Sequence, residues 1–153
     1  MNASLDKEVF GKFRSLVYQV CGISLTDQKE ALVAARIGKR MRSLGIEDYH
    51  DYYQHVLADK SGSEMTELVN CISTNVTQFY REPRHFELLT RWVKEWDQKG
   101  ARGLSIWSAA CSTGEEPYTI AMTVLDALSR PIQVGILASD ISTRVIERAK
   151  AGI

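Results

Sequence analysis

The sequence predicts an α/β protein in two parts: a small all-helical N-terminal domain, then the first part of a parallel, cofactor-binding α/β sheet. Three observations carry the prediction. Apolar residues recur at helical spacing through the first part of the chain; beyond Gly100 the pattern becomes strand, helix, strand, helix; and a turn of small residues, Ser108 to Tyr118, joins the first strand to its helix.

From Val9 to Cys21 the residues Val9, Phe10, Phe13, Leu16, Val17 and Val20 form the stripe of an amphipathic helix that Gly22 ends. Thr26 is placed to cap a second helix, with Val33, Ile37, Met41 and Leu44 facing one way and Gly45 stopping it. A third, aromatic-rich segment covers Tyr49 to Ala58. Ser61 and Glu64 then have the spacing of a capping box, opening a fourth helix with Met65, Leu68 and Val69 inward. The helical domain is expected over residues 1–72. Residues 73–100 form a polar connection and a fifth helix, from about Arg84 to Lys99, with Phe86, Leu89, Trp92, Val93 and Trp96 on its buried side. Residues 101–153 begin the sheet domain: strands at Leu104 to Ser108 and Val134 to Ser139, helices at Glu115 to Leu128 and from a Ser142 cap to Lys150. Two strands with two helices do not cover both faces of a sheet, so more of it is expected after Ile153 or from another chain.

Composition narrows the function. A chain of 153 residues, 44% hydrophobic and 25% charged, buries a real core. Lys plus Arg, 19, equals Asp plus Glu, 19, so no global field draws in nucleic acid or an acidic membrane. Cys21, Cys71 and Cys111 are odd in number and form no CxxC, and His50, His55 and His85 lack ligand spacing, so neither a disulfide framework nor a metal site is expected. With no signal peptide and no long apolar run, the expected location is the cytoplasm.

The chemistry lies in Ser108–Tyr118, S-A-A-C-S-T-G-E-E-P-Y. Ala110, Ser112 and Gly114 stand at the alternate positions where a dinucleotide fold places glycines, so backbone and helix N-terminus approach a ligand. Glu115 and Glu116 repel phosphate and favour a cation, which suits the sulfonium and ammonium of S-adenosylmethionine better than NAD. Asp140 follows Gly114 by about 26 residues, near the place of a ribose-binding carboxylate. Each acid also has a structural reading, Asp140 as a helix cap and the two glutamates as favourable charge in a first turn. Cys111 lacks a local histidine and reads as a small buried residue rather than a nucleophile.

These residues, with G-I-S-L, A-R-I-G-K-R-M-R-S-L-G, S-T-N-V-T-Q-F-Y-R-E, I-W-S-A-A-C-S-T-G-E-E-P-Y, A-S-D-I-S and A-K-A-G-I, resemble the chemotaxis receptor (CheR-type) protein-glutamate methyltransferases over nearly the whole chain. The resemblance implies a Rossmann-like methyltransferase domain behind the helical one. It also implies S-adenosylmethionine as cofactor, S-adenosylhomocysteine as product, and receptor glutamates as substrates. By motif it places cofactor contacts on Asn75, Thr77 and Arg81, on Glu116 in preference to Glu115, and on Asp140. Arg81 is the expected catalytic residue, holding a carboxylate by a two-point contact; a salt bridge to Glu82 is the plain alternative, as helix capping is for Asn75 and Thr77. Tyr80 and Thr119 depart from the usual Phe and Ser. The helix bearing Lys29, Arg36, Lys39, Arg40 and Arg42 against Asp27 and Glu30 is a basic patch in a neutral chain. Such a patch is ordinarily a solvated face, but the resemblance makes it the docking surface for the acidic, helical cytoplasmic region of a receptor. Two other functions remain open, a non-catalytic receptor-binding or cofactor-sensing module and an NAD-dependent oxidoreductase.

Overall fold

The computed structural model describes residues 5–152; Met1–Ser4, and the Ile153 that ends the last motif, lie outside the described residues. The chain divides into two compact units, with the boundary between Thr74 and Asn75. The polar segment after Thr74 and the fifth helix therefore belong with the sheet.

In the first unit Asp6 opens α1 (Lys7–Cys21) by accepting the Val9 amide at 2.8 Å, and Gly22 closes it at φ 71°. Thr26 does not cap the next helix with its side chain. Its carbonyl accepts from the Lys29 amide at 2.9 Å, and a 3-10 turn, Asp27–Lys29, runs into α2 (Glu30–Leu44), so a tighter backbone turn replaces the side-chain cap. Gly45, at φ 71°, ends α2. Asp48 caps α3 (Tyr49–Ala58) through the His50 and Asp51 amides. Phe13, Val17, Ile37, Tyr52 and Leu68 meet at the centre of this unit without solvent exposure, and Phe13 stacks on Tyr52 at 6.1 Å.

The start of α4 (Ser63–Ile72) departs from the expected capping box. Gly62 takes the cap position at φ 74°, and Asp59 Oδ2 accepts the Glu64 amide at 2.7 Å. The Glu64 side chain instead turns inward. Arg40 grips it with two bonds, Nε to Oε1 at 3.0 Å and Nη2 to Oε2 at 2.6 Å, and the Tyr52 hydroxyl donates to Oε1 at 2.8 Å. A buried carboxylate requires such partners, and those supplied by α2 and α3 win over its own backbone. The Arg40 hydrogen bonds, with help from Tyr52, hold Glu64 below the usual carboxylate range against the opposing effect of burial. Burial, then Glu64, pushes the Tyr52 phenol well up.

The second unit begins with an irregular strap, residues 75–82, and continues through α5 (Pro83–Gln98), β1 (Gly103–Ala109), α6 (Glu115–Ala127), β2 (Gln133–Ser139) and α7 (Thr143–Ala151). β1 and β2 pair in parallel, with Ile106 opposite Ile136 and Trp107 opposite Leu137. Strand alternation turns Leu104, Ile106, Val134 and Ile136 toward Phe86 and Val93 of α5 and Ile120 and Val124 of α6. On the other face Trp107 and Leu137 are 66% and 65% exposed.

Trp92 and Trp96 were expected on the buried side of α5. They are 46% and 37% exposed and stack on each other at 6.3 Å. The buried line runs through Phe86 and Val93 to Asp97, whose carboxylate accepts from the Ser129 amide at 2.9 Å, which puts the indoles on the flank of the contact. Among the described residues no helix is long and apolar enough to cross a membrane.

Candidate functional site

The turn after β1 is built from backbone that ordinary residues avoid. Ala110, Ser112 and Gly114 lie at φ 70°, 49° and 106°, so the three positions where a dinucleotide fold places glycines are the three left-handed ones. Tyr80 and Glu82, at φ 54° and 56°, flank Arg81 in the strap. Among the described residues, every non-glycine residue with positive φ falls in one of these two segments. Left-handed alanine, serine, tyrosine and glutamate each cost roughly 1–3 kcal/mol, and such strain persists where the surroundings impose it, typically at ligand sites.

The surroundings are visible. The Ala110 and Cys111 amides both donate to the carbonyl of Ser139, at 2.8 and 2.9 Å, hooking the turn over the carboxyl end of β2. Ser112 is a hub: its amide donates to Asp140 Oδ2 at 2.8 Å, and its hydroxyl donates to the Asn75 carbonyl at 2.9 Å. The Tyr80 amide donates to Thr119 Oγ1 at 3.3 Å, using a hydroxyl that serine would also supply. The strap, the turn and Asp140 are thereby brought together at the carboxyl ends of the strands, where open parallel sheets bind ligands. Sequence reasoning treated Ser112 only as a small residue. Its role as a hub depends on two partners distant in the chain.

Asp140 is not the cap of α7. Ser142 holds that position, and Asp140 Oδ1 accepts the Ser142 amide at 2.9 Å in a tight turn ahead of the helix. Glu116 accepts from Ser108 Oγ at 2.7 Å and Glu115 from Thr113 Oγ1 at 2.6 Å, so both glutamates are oriented by neighbours in the turn. Arg81 is exposed and donates from Nη1 to the Val76 carbonyl at 2.7 Å, with no ion pair to Glu82. That bond closes the strap on itself and leaves four of the five guanidinium N–H groups. Asn75 and Thr77 are half-buried, and the helix that follows them starts without a side-chain cap, so neither spends its side chain there. Cys111 is fully buried, and burial, reinforced by the charge of Asp140, pushes its thiol up, away from nucleophilic chemistry.

Gly114 is the tightest position. A Cβ there would lie 3.2 Å from the Ala149 backbone and 3.2 Å from the Tyr118 ring at a φ that disfavours side chains. Gly114→Ala is expected to destabilise the second unit by roughly 1–3 kcal/mol and to loosen the turn, read as a lowered unfolding midpoint together with weakened ligand binding.

The basic helix is arranged differently from the expected docking patch. Arg40 is committed to Glu64, and Arg36 Nη1 donates to the Ile72 and Ser73 carbonyls at 2.6 and 3.0 Å. Lys29, Lys39 and Arg42 are exposed. Long stems let the two arginines reach acceptors on α4 that periodicity within α2 does not reveal.

Residues 75–153 match the family described as CheR methyltransferase, SAM binding domain, and residues 8–73 match its all-alpha domain. The chain belongs to the CheR methyltransferase family. It is 40% identical over 151 residues to a chemotaxis protein methyltransferase of Salmonella typhimurium, covering 98% of this chain and 51% of that relative. A similar protein, chemotaxis protein methyltransferase 2 of Pseudomonas aeruginosa, is 42% identical, with 96% and 52% covered. A chemotaxis protein methyltransferase of Borreliella burgdorferi is 32% identical, with 100% and 57% covered. The chain thus spans about half the length of the curated relatives it matches.

S-adenosylmethionine is the cofactor of this CheR domain, and the donor set fits it. The amides of Ala110, Cys111, Ser112 and Gly114 are all bonded within the protein, which removes the cradle that a pyrophosphate needs. Carboxylates, not cations, stand at the turn, the right sign for a sulfonium and an ammonium and the wrong one for NAD.

Proposed function

We propose that the protein carrying this sequence methylates glutamate side chains of chemotaxis receptors, forming methyl esters. The observation that supports it best is the confinement, among the described residues, of left-handed, non-glycine backbone to the strap and the turn, the two segments that hold Arg81, Asn75, Thr77, Glu115 and Glu116. When bound, S-adenosylmethionine supplies an electrophilic methyl group on a sulfonium. A glutamate carboxylate, with a reference pKa near 4.3, is ionised at neutral pH, so the site needs no general base and its work is positioning. Asp140 binds ribose hydroxyls, Glu116 rather than Glu115 binds the ammonium, Asn75 and Thr77 bond the cofactor from the strap, and Arg81 holds a carboxylate.

Receptor docking on the basic helix is carried by its exposed charges, Lys29, Lys39 and Arg42. Arg36 and Arg40, first assigned the same task, are engaged with α4. Lys39 and Arg42 share a face of α2. Reversing both to glutamate is expected to raise the receptor KM by at least about tenfold at low ionic strength, less as salt rises, with cofactor affinity unchanged. Insensitivity to the reversal and to salt removes the docking assignment.

The full-length protein tests the whole reading. Titration calorimetry with S-adenosylhomocysteine is expected to show one site, and label from the cofactor methyl group to appear on receptor as base-labile ester. Binding without transfer supports a cofactor-sensing module instead, and absence of binding overturns both.

A further inference from the structure

We propose that Arg36 is a positioning residue for the cofactor strap. The inference rests on the proposed function in taking Asn75 and Thr77 as cofactor contacts. It departs from the docking reading of the basic helix, which assigned Arg36 to the receptor.

Three contacts carry it. Arg36 Nη1 donates to the Ile72 carbonyl at 2.6 Å and the Ser73 carbonyl at 3.0 Å, and lies 3.3 Å from Thr74 Oγ1. Ile72 ends α4 and Ser73 is its cap residue, so these carbonyls belong to the group a helix leaves without internal partners, at the negative end of its dipole. No basic residue of α4 itself stands in its last turn. A guanidinium from α2 performs that task, on the three residues that immediately precede Asn75. Ser73 is tied back to α4 by its amide, which donates to the Val69 carbonyl at 2.9 Å, whereas Thr74 lies outside any helix or strand and beyond that bond.

A strap residue binds a ligand well only if its backbone is already in place, because ordering each free residue on binding costs conformational entropy. Arg36 imposes that order upstream of Asn75. Loss of the guanidinium therefore acts on cofactor affinity through Asn75 and Thr77. A docking residue acts on receptor affinity and leaves the cofactor alone, so the two roles separate in the measurements.

The test uses the full-length protein with Arg36→Gln and Arg36→Lys. Lysine retains a cation, but its stem is one bond shorter and sets the ammonium back from the place where Nη1 meets all three acceptors, so the contacts are kept only in part; it carries the test should the glutamine variant fail to fold. Amide hydrogen exchange of residues 73–77, measured without ligand, is expected to accelerate about tenfold in Arg36→Gln, the size of one lost charge-assisted hydrogen bond. Exchange in the α1 core is expected to stay unchanged. The dissociation constant for S-adenosylhomocysteine is expected to rise by a similar factor, with receptor KM at saturating cofactor unaltered and the lysine variant showing both changes at smaller size. Unchanged strap exchange overturns the inference, as does a raised receptor KM with unaltered cofactor affinity, or a lysine variant indistinguishable from the parent. A parent that binds no S-adenosylhomocysteine overturns the proposed function and this inference with it, whereas a parent that binds while the variants match it overturns the inference alone.

Discussion

Replacing Arg40 with alanine is expected to destabilise the helical unit by about 3–5 kcal/mol, the cost of removing one partner from a buried ion pair. The Glu64 side chain is only 6% exposed, and after the replacement it keeps the Tyr52 hydroxyl but loses both guanidinium bonds. Amide exchange in α2 and α4 reads this unit separately from the other. The double variant Arg40→Met with Glu64→Leu is expected to recover most of the loss, because it removes the stranded charge as well as the pair. A single variant as stable as the parent contradicts the account. The pH dependence follows from the same contacts. Glu64 is held below the usual carboxylate range chiefly by Arg40, so its contribution is present above that range and is lost as pH falls through the lowered value. In Glu64→Gln that part of the acid limb is expected to disappear from the unfolding curve of the helical unit.

Arg81→Ala is expected to lower kcat/KM for receptor methylation on the order of a hundredfold while the fold persists, in line with the loss of charge-assisted hydrogen bonds to a carboxylate. Arg81 is exposed, so no core is disturbed. Its structural task is the single bond to the Val76 carbonyl. Arg81→Lys separates the two duties. Lysine retains charge but lacks the planar fork, so it is not expected to hold both Val76 and a carboxylate, and activity is expected to recover only in part. Near-normal turnover of the alanine variant removes Arg81 from the reaction. A fall confined to cofactor binding reassigns its guanidinium to the carboxylate of the cofactor.

The cofactor turn was legible because its determinants are local. Small residues at alternate positions leave room for a ligand to approach the backbone, two acids begin the following helix, and an aspartate ends the next strand; each is a property of a short segment. The helix limits at Gly22, Gly45 and Ala58 were legible for the same reason, since a stop signal acts within one turn. Arg81 and the strap were reached by resemblance alone. Nothing in S-T-N-V-T-Q-F-Y-R-E as a string announces that Tyr80 and Glu82 adopt positive φ.

By itself the sequence determined the order of elements, the change from helical to strand–helix alternation, the small-residue turn and the sign of its charge, and the membership of the CheR family that follows from the motifs. The tertiary structure decided which side chains are spent on the fold and which remain for ligands. Arg36 and Arg40 look like free surface charge along α2, yet their acceptors lie on α4. Trp96 shares a periodic stripe with Val93 but sits on its flank. Ser112 bonds to segments far away on both sides of it in the chain. Periodicity and capping report interactions within a few residues of one another, whereas the partner of a long or hubbed side chain is chosen by which elements pack together.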